Sequence, residues 1–405
     1  MGDGRLGVYS DQPYHAGRGD VSGGTAYPRS APSHRRGRGR RALARALCLF
    51  LTFCATTSVA QTGRTGQADA IRIAFWRVDL HTRGPGEALA QIRDRRPNAA
   101  ALAQVIATLS PDIMVLSGVD YDMQGHTLSA LRDLVAEAGV TFPHLFAPQP
   151  NAGFDSGLDL NRDGRAHGPD DAHGHGDYAG ERALAVMSRH KLNLPKLRDF
   201  TGFLWRDLPD ALLYGGMGPA LAGHHRLSSV AHFELPVTLP GGRELALLIY
   251  QAGPPVFGDH PDRNRNRNHD ETAFWTRLLE GALPVPPPPA SFVLIGGSNL
   301  DPFDGDGRNS AMRDLLAHPA LQDPRPASPG GAAHADPNHN GPPHLDTVAW
   351  DTEQGNLRVS YILPSAKLTV TGAGVLWPLA DDPLDAVLAE TGTLHKPVWV
   401  DIAVN

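Results

Sequence analysis

The chain has 405 residues, with 37 Lys and Arg against 43 Asp and Glu and a formal net charge of −6; nine Arg but only three acids fall within residues 1–60. The remainder is strongly acidic, which excludes bulk nucleic-acid binding as a role, because polyanion affinity comes from Lys and Arg displacing counterions along the phosphates. A hydrophobic content of 41% is enough for a buried core, and collagen, coiled-coil and disulfide-scaffold classes are excluded as well.

Residues 1–34 are rich in Gly, Ser, Tyr and Pro without apolar periodicity and read as an unstructured leader or an over-extended start. Residues 35–60 read as a signal peptide. Arg35, Arg36, Arg38, Arg40 and Arg41 lead into the apolar run from Ala46 to Ala55, and Ser58-Val59-Ala60 forms a small-x-small cleavage site before Gln61. The apolar stretch is too short, and too interrupted by Ser and Thr, for the roughly 20 residues a membrane span needs. The expected location is therefore periplasmic or extracellular, with no transmembrane anchor after cleavage. Both cysteines, Cys48 and Cys54, lie in this segment, so disulfides, thiol nucleophiles and Cys-ligated zinc are excluded from the exported chain.

After a linker at 61–69, residues 70–405 read as one folded domain. The run from Ile71 to Trp76 predicts a strand, Ala99 to Leu109 a helix, Asp112 to Leu116 a buried strand and Leu128 to Ala138 an amphipathic helix. Further strands are predicted at 183–188, 229–235, 245–250, 292–295, 357–363 and 398–404. Helices are predicted at 271–283, with Asp270 as N-cap, and at 310–317, stopped by His318-Pro319. The surplus length lies in Gly-, Pro- and Asp-rich loops at 151–180, 284–289 and 322–344. This order predicts a layered α/β domain with two packed sheets and helices outside.

Three loop clusters carry candidate chemistry. Asp159, Asn161 and Asp163, followed by Gly164 and with Asp170 at the twelfth position, have the oxygen spacing of a calcium loop; a tight polar turn is the competing reading. His167, His173 and His175 lie in the same loop. Arg263, Arg265 and Arg267, interleaved with Asn and ending at Asp270, form a candidate anion-binding run at a helix start, although Asp262 and Asp270 partly neutralise it.

Several ordered segments resemble the endonuclease/exonuclease/phosphatase superfamily of metal-dependent phosphoesterases, in an exported bacterial branch. They are Pro111-Asp112-Ile113-Met114-Val115-Leu116 with Asp120, Asp159-Leu160 with Asp163-Gly164, Pro254-Pro255 with Asp262-Arg263-Asn264, Asn299-Leu300-Asp301-Pro302, Asn356-Leu357-Arg358-Val359 with Tyr361, and His395 before Val398-Trp399-Val400-Asp401. The resemblance implies a four-layer α/β/β/α sandwich with two packed mixed sheets. It also implies a magnesium site at one sheet edge, where carboxylates hold the ion, a His polarised by an Asp activates water, and Asn and His donors hold phosphoryl oxygens.

Against that pattern only His395 and Asn299 match as site residues. Arg77 stands for the family's Asn, Gly118 for a metal-binding Glu, Gln251 for a donor His, Gly297 for an Asp, Ser360 for an Asp and Leu394 for a polar residue. Such losses within one catalytic unit remove most of the rate, and magnesium becomes doubtful. The expected function is an exported family member that binds a phosphate-bearing or other anionic ligand, with Arg77 in the place of the metal, without cleaving it. The alternatives are an active magnesium-dependent phosphoesterase or nuclease using relocated ligands such as Asp120 or Asp301, and a calcium-stabilised extracellular structural module.

Overall fold

A computed structural model describes residues 70–80, 84–258, 260 and 262–403. The leader, the signal peptide, the 61–69 linker and the end of the last predicted strand lie outside the described residues. No helix among those described is long and apolar enough to cross a membrane.

In chain order the elements are β1 (Ala70–Arg77), α1 (Glu87–Arg93), α2 (Pro97–Leu109), β2 (Ile113–Val119), α3 (His126–Glu137), β3 (His144–Phe146), β4 (Ala183–Ser188), β5 (Lys191–Leu192) and β6 (Arg198–Asp199). Then follow α4 (Pro219–Ala222), β7 (Ala231–Thr238), β8 (Glu244–Gln251), α5 (Arg263–Leu279), β9 (Phe292–Gly297), α6 (Ser310–Leu316) and α7 (Pro329–Ala333). The last are β10 (Val348–Ala349), β11 (Asn356–Leu357), β12 (Ser360–Pro364), β13 (Val370–Val375), α8 (Pro383–Glu390) and β14 (Val398–Ala403).

One sheet runs β13-β14-β1-β2-β4-β3 and the other β12-β9-β8-β7-β5, with β6 also paired to β7. Both are mixed. In the first, β1 and β2 are parallel while β14 and β4 flank them antiparallel; in the second, β8 and β9 are the parallel pair.

Side-chain alternation divides each strand between two layers. Ile73, Phe75, Val115 and Val186 meet Phe233, Leu247, Ile249 and Ile295 in an aliphatic layer between the sheets. The intervening residues Trp76, Met114 and Leu116 pack on Leu102 and Ile106 of α2, Leu131 of α3 and Leu388 of α8. On the far side Leu248, Tyr250, Leu294 and Tyr361 pack on Phe274, Trp275 and Leu278 of α5 and Met312 of α6. Helices therefore cover both outer faces, which gives the α/β/β/α order. The one charge in the middle of β1, Arg72, points to the helix side. Its guanidinium meets both carboxylate oxygens of Asp401, its register partner on β14, at 2.8 Å and stacks 4.2 Å from the Trp399 ring centroid.

The structure corrects several sequence expectations. The helix expected at 271–283 begins eight residues earlier, at Arg263, and Asp270 is not its N-cap: it lies inside α5, buried, accepting from Trp205 Nε1 at 2.6 Å and Leu212 N at 2.7 Å. The single strand expected at 357–363 is two strands, β11 and β12. Helices α1 and α8 and strands β3 and β13 were not among the sequence expectations.

Ile295 is fully buried between the sheets. Ile295→Ala is expected to cost about 2–5 kcal/mol, read as a lower urea midpoint with an unchanged denaturant slope.

Candidate functional site

The aliphatic layer ends where the C-terminal ends of β1, β2, β8 and β9 converge. Arg77 follows Ile73 and Phe75 in the inward alternation of β1 and pairs in register with Ser117 of β2. On the second sheet Gly297 pairs in register with Gln251 on one side and Ser360 on the other, and the three share the face of Ile249, Ile295 and Ile362. Hydrogen bonds hold the edge together, one of them between the sheets. Arg77 Nη1 donates to Asn299 Oδ1 at 3.4 Å, and Asn299 Nδ2 donates to the Ala252 carbonyl at 2.8 Å. Thr393 Oγ1 donates to the Arg77 carbonyl at 3.0 Å, and Trp76 Nε1 donates to the His395 carbonyl at 2.9 Å.

The structure thus brings six sequence-selected positions, 77, 251, 297, 299, 360 and 395, to one edge, with Gly118 beside Ser117 on β2. Asn299 adopts φ 52°, a left-handed conformation that Asn tolerates better than most residues. Gly118 has φ +87° and sits at a bulge where the β2–β4 register shifts between Ser117 and Val119. The chain leaving β1 crosses directly over it, with Val78 N donating to the Ser117 carbonyl at 2.7 Å and Leu80 N to the Gly118 carbonyl at 3.2 Å.

His395 is 5% exposed, and burial, with Arg77 and Lys396 nearby, pushes its imidazole well below the ordinary histidine range. It is therefore neutral. Its Nδ1 meets no hydrogen-bonding partner among the described residues, and the edge of Trp350 packs against its ring at 5.9 Å between centroids. No carboxylate polarises it, which separates it from a histidine oriented and charged by an Asp.

A divalent cation such as magnesium needs carboxylate oxygens, and these residues do not fit one. Glycines stand at 118 and 297, the remaining side-chain oxygens of Ser360, Gln251 and Asn299 are neutral, and a guanidinium lies against Asn299. Among the described residues no group of three or more His, Cys, Asp or Glu is placed to hold a metal ion. Two nearby acids are engaged with other donors. Asp120, pushed up to about 6 by burial, accepts from Tyr178 Oη at 2.6 Å and Arg182 N at 3.3 Å. Asp301, also raised by burial, accepts three backbone N–H groups, from Phe303 at 2.7 Å, Asp304 at 3.1 Å and Arg358 at 2.8 Å.

The other candidate clusters serve local structure. Arg267 is buried in α5 and donates to the carbonyls of Leu227, His173, Arg226 and Ser228. Arg263, one turn earlier, donates to the Asp170 carbonyl at 3.2 Å, and the half-buried Arg265 projects from the other side of the helix. The three therefore do not form one anion cradle. In the calcium-like loop, Asp159 and Asn161 accept from the backbone N–H of Asp163 at 3.1 Å, and Asp163 accepts from Arg165 N at 2.8 Å. Asp170 turns to His175 Nδ1 at 2.9 Å, while its neighbour Asp171 anchors the loop by accepting from Leu160 N at 2.8 Å. This is the bonding of a polar turn closed on its own backbone. His167 pairs with Asp155 at 2.7 Å, away from any shared ligand set with His175.

Sequence reasoning missed Thr347, whose Oγ1 accepts from both Val359 N at 2.9 Å and Ser360 N at 3.0 Å and so fixes the start of β12. A single Thr in a loop carries no motif.

A histidine held below its unfolded value favours the folded state fully above the unfolded pKa of about 6.5 and loses that contribution as pH falls toward its folded pKa. Glu271 and Asp346, both raised to about 7 by burial, act in the opposite sense. Comparison with a variant isolates the histidine: His395→Asn is expected to lose less stability than the unsubstituted chain between about pH 7 and 4.5, measured by denaturant unfolding across that range.

Comparison with known proteins agrees with this architecture. The family model described as the Endonuclease/Exonuclease/phosphatase family matches residues 74–396. An endonuclease/exonuclease/phosphatase from Beutenbergia cavernae is 17% identical with a TM-score of 0.50, covering 83% of this chain and 72% of that one. A family protein from Leptotrichia buccalis is 14% identical with a TM-score of 0.45, covering 82% of this chain and 99% of that one. One from Bacteroides thetaiotaomicron is 13% identical with a TM-score of 0.45, covering 83% and 98%. No curated protein sequence matches the chain. With a family model that matches most of the chain, the chain belongs to the endonuclease/exonuclease/phosphatase family, whose members are generally metal-dependent, usually on magnesium.

Proposed function

We propose that this chain is an exported, non-catalytic member of the family that holds a phosphate-bearing or other anionic group at Arg77 without cleaving it. The observation that carries this reading is the charge of the edge: its inward positions hold one guanidinium and otherwise Gly, Gln, Ser, Asn and a neutral His. Arg77 is the partly exposed member of the group, while Gln251, Asn299, Ser360 and His395 are buried, so an anion meets the edge through the guanidinium.

A guanidinium fork holds phosphate oxygens by charge and by paired hydrogen bonds. It does not acidify water as a divalent ion does, and His395 has no acid to raise its basicity. Nucleophile generation is therefore missing while anion recognition remains. General acid–base groups are each worth about 10²–10⁴ in rate, and metal, water and donors act together, so their joint replacement leaves no partial mechanism. Export rests on the basic run, apolar core and Ser58-Val59-Ala60 of the N-terminal segment.

The purified chain is expected to show no magnesium- or manganese-dependent turnover of simple phosphodiesters or monoesters above a heat-denatured control. Millimolar inorganic phosphate should raise its melting temperature, and Arg77→Gln should remove that rise. Robust magnesium-dependent turnover abolished by His395→Ala would overturn the reading. For export, N-terminal sequencing of secreted material should begin near Gln61, whereas an intact cytoplasmic chain starting at Met1 contradicts it.

A further inference from the structure

We infer that the two carboxylate positions at 118 and 297 are filled by other groups of this chain, so that the edge is locked against a divalent metal by its packing as well as by its composition. This goes beyond the anion-binding reading and stands without it. At 118 the filling group is backbone. A Cβ built on Gly118 would overlap the Val78 carbonyl oxygen and lie 3.0 Å from its carbon. The positive φ of 87° adds strain for any L side chain. A Glu here requires the Val78–Leu80 crossing to lift off the end of β2, breaking the bonds to the Ser117 and Gly118 carbonyls.

At 297 the filling group is a side chain. A Cβ on Gly297 would overlap Gln251 Oε1 and lie 2.9 Å from both Cδ and Nε2 of the same carboxamide. An exposed Gln would swing aside at little cost, but Gln251 is 3% exposed and its Nε2 is tied to the Ala252 carbonyl at 2.9 Å. Its Oε1 is buried without a hydrogen-bonding partner among the described residues. A side chain free to rotate would relieve that unpaired acceptor; this one is held by its neighbours. Ser360 closes the other side of Gly297 from β12, itself 1% exposed. Residues 251 and 297 are therefore a matched pair, long with none: a side chain at 297 demands a shorter one at 251.

The experiment is a double-mutant cycle read by thermal melting on the whole chain. Gly297→Ala alone is expected to lower the melting temperature by roughly 3–10 °C, the range for overpacking in a domain of this size. In the Gln251→Ala background the same change should cost less than half as much, because the Cβ then enters the space the carboxamide has left. Gly118→Ala should lower the melting temperature equally in both backgrounds. Magnesium and manganese up to about 10 mM should leave the melting temperature of the unsubstituted chain unchanged. Equal costs of Gly297→Ala in the two backgrounds, a Gly118→Ala chain as stable as the unsubstituted one, or a metal-dependent rise lost in Asn299→Ala would each overturn the inference.

Discussion

Two sheets packed through one aliphatic layer leave only one kind of place for polar chemistry on their facing sides, the edge where the layer stops. Alternation places Arg77, Gln251, Gly297 and Ser360 on the same face as Phe75, Ile249, Ile295 and Ile362. A slip of one residue in any pairing would turn these positions toward the helices and bury an aliphatic residue's polar neighbour in its stead. The parallel pairs β1–β2 and β8–β9 then set which ends meet. The site is therefore a consequence of register, and register is held by the same side chains that contribute most of the burial energy.

Electrostatically this edge inverts what a metal-dependent phosphoesterase requires. Three acidic residues near it accept from backbone N–H groups. Asp301 gathers the turn after β9, Asp120 ties the end of β2 to the loop before β4, and Glu271 receives Ser229 N and Gly253 N in the interior of α5. Burial raises the pKa of all three. A carboxylate whose oxygens already satisfy buried donors cannot turn to a metal without leaving those donors unpaired, at about 1–3 kcal/mol each.

The sequence exposed the fold where strands are buried on both faces: β1, β2, β4, β8 and β9 are short apolar runs bounded by turns, and their ends aligned with family motifs. It concealed elements whose signal is not hydrophobic. The first turns of α5 bury Asn266, Arg267, Asn268 and Asp270, whose partners are the Arg308 guanidinium, loop carbonyls and the Trp205 indole, so no apolar period marks them. Strand β13 contains Gly372 and Gly374, whose missing side chains admit the Trp399 ring. Glycine there reads as a strand breaker until its neighbour is known. At the site the substituted positions were legible one by one, but what occupies the released space was not. The Val78 carbonyl and the Gln251 carboxamide approach from other strands, and no linear spacing encodes that approach.

Gaps in a packed interior are costly, and the two glycines at the end of the aliphatic layer leave none: the Val78 carbonyl lies against Gly118 and the Gln251 carboxamide against Gly297. Two buried atoms at the edge, the Gln251 Oε1 and the His395 Nδ1, meet no hydrogen-bonding partner among the described residues, and neither lies within the layer that holds the sheets together. The folding energy lies elsewhere, along the inward-facing Ile, Leu, Val and Phe of the two sheets. The residues that set the fold and the residues that set the chemistry of the edge are therefore largely separate in this architecture.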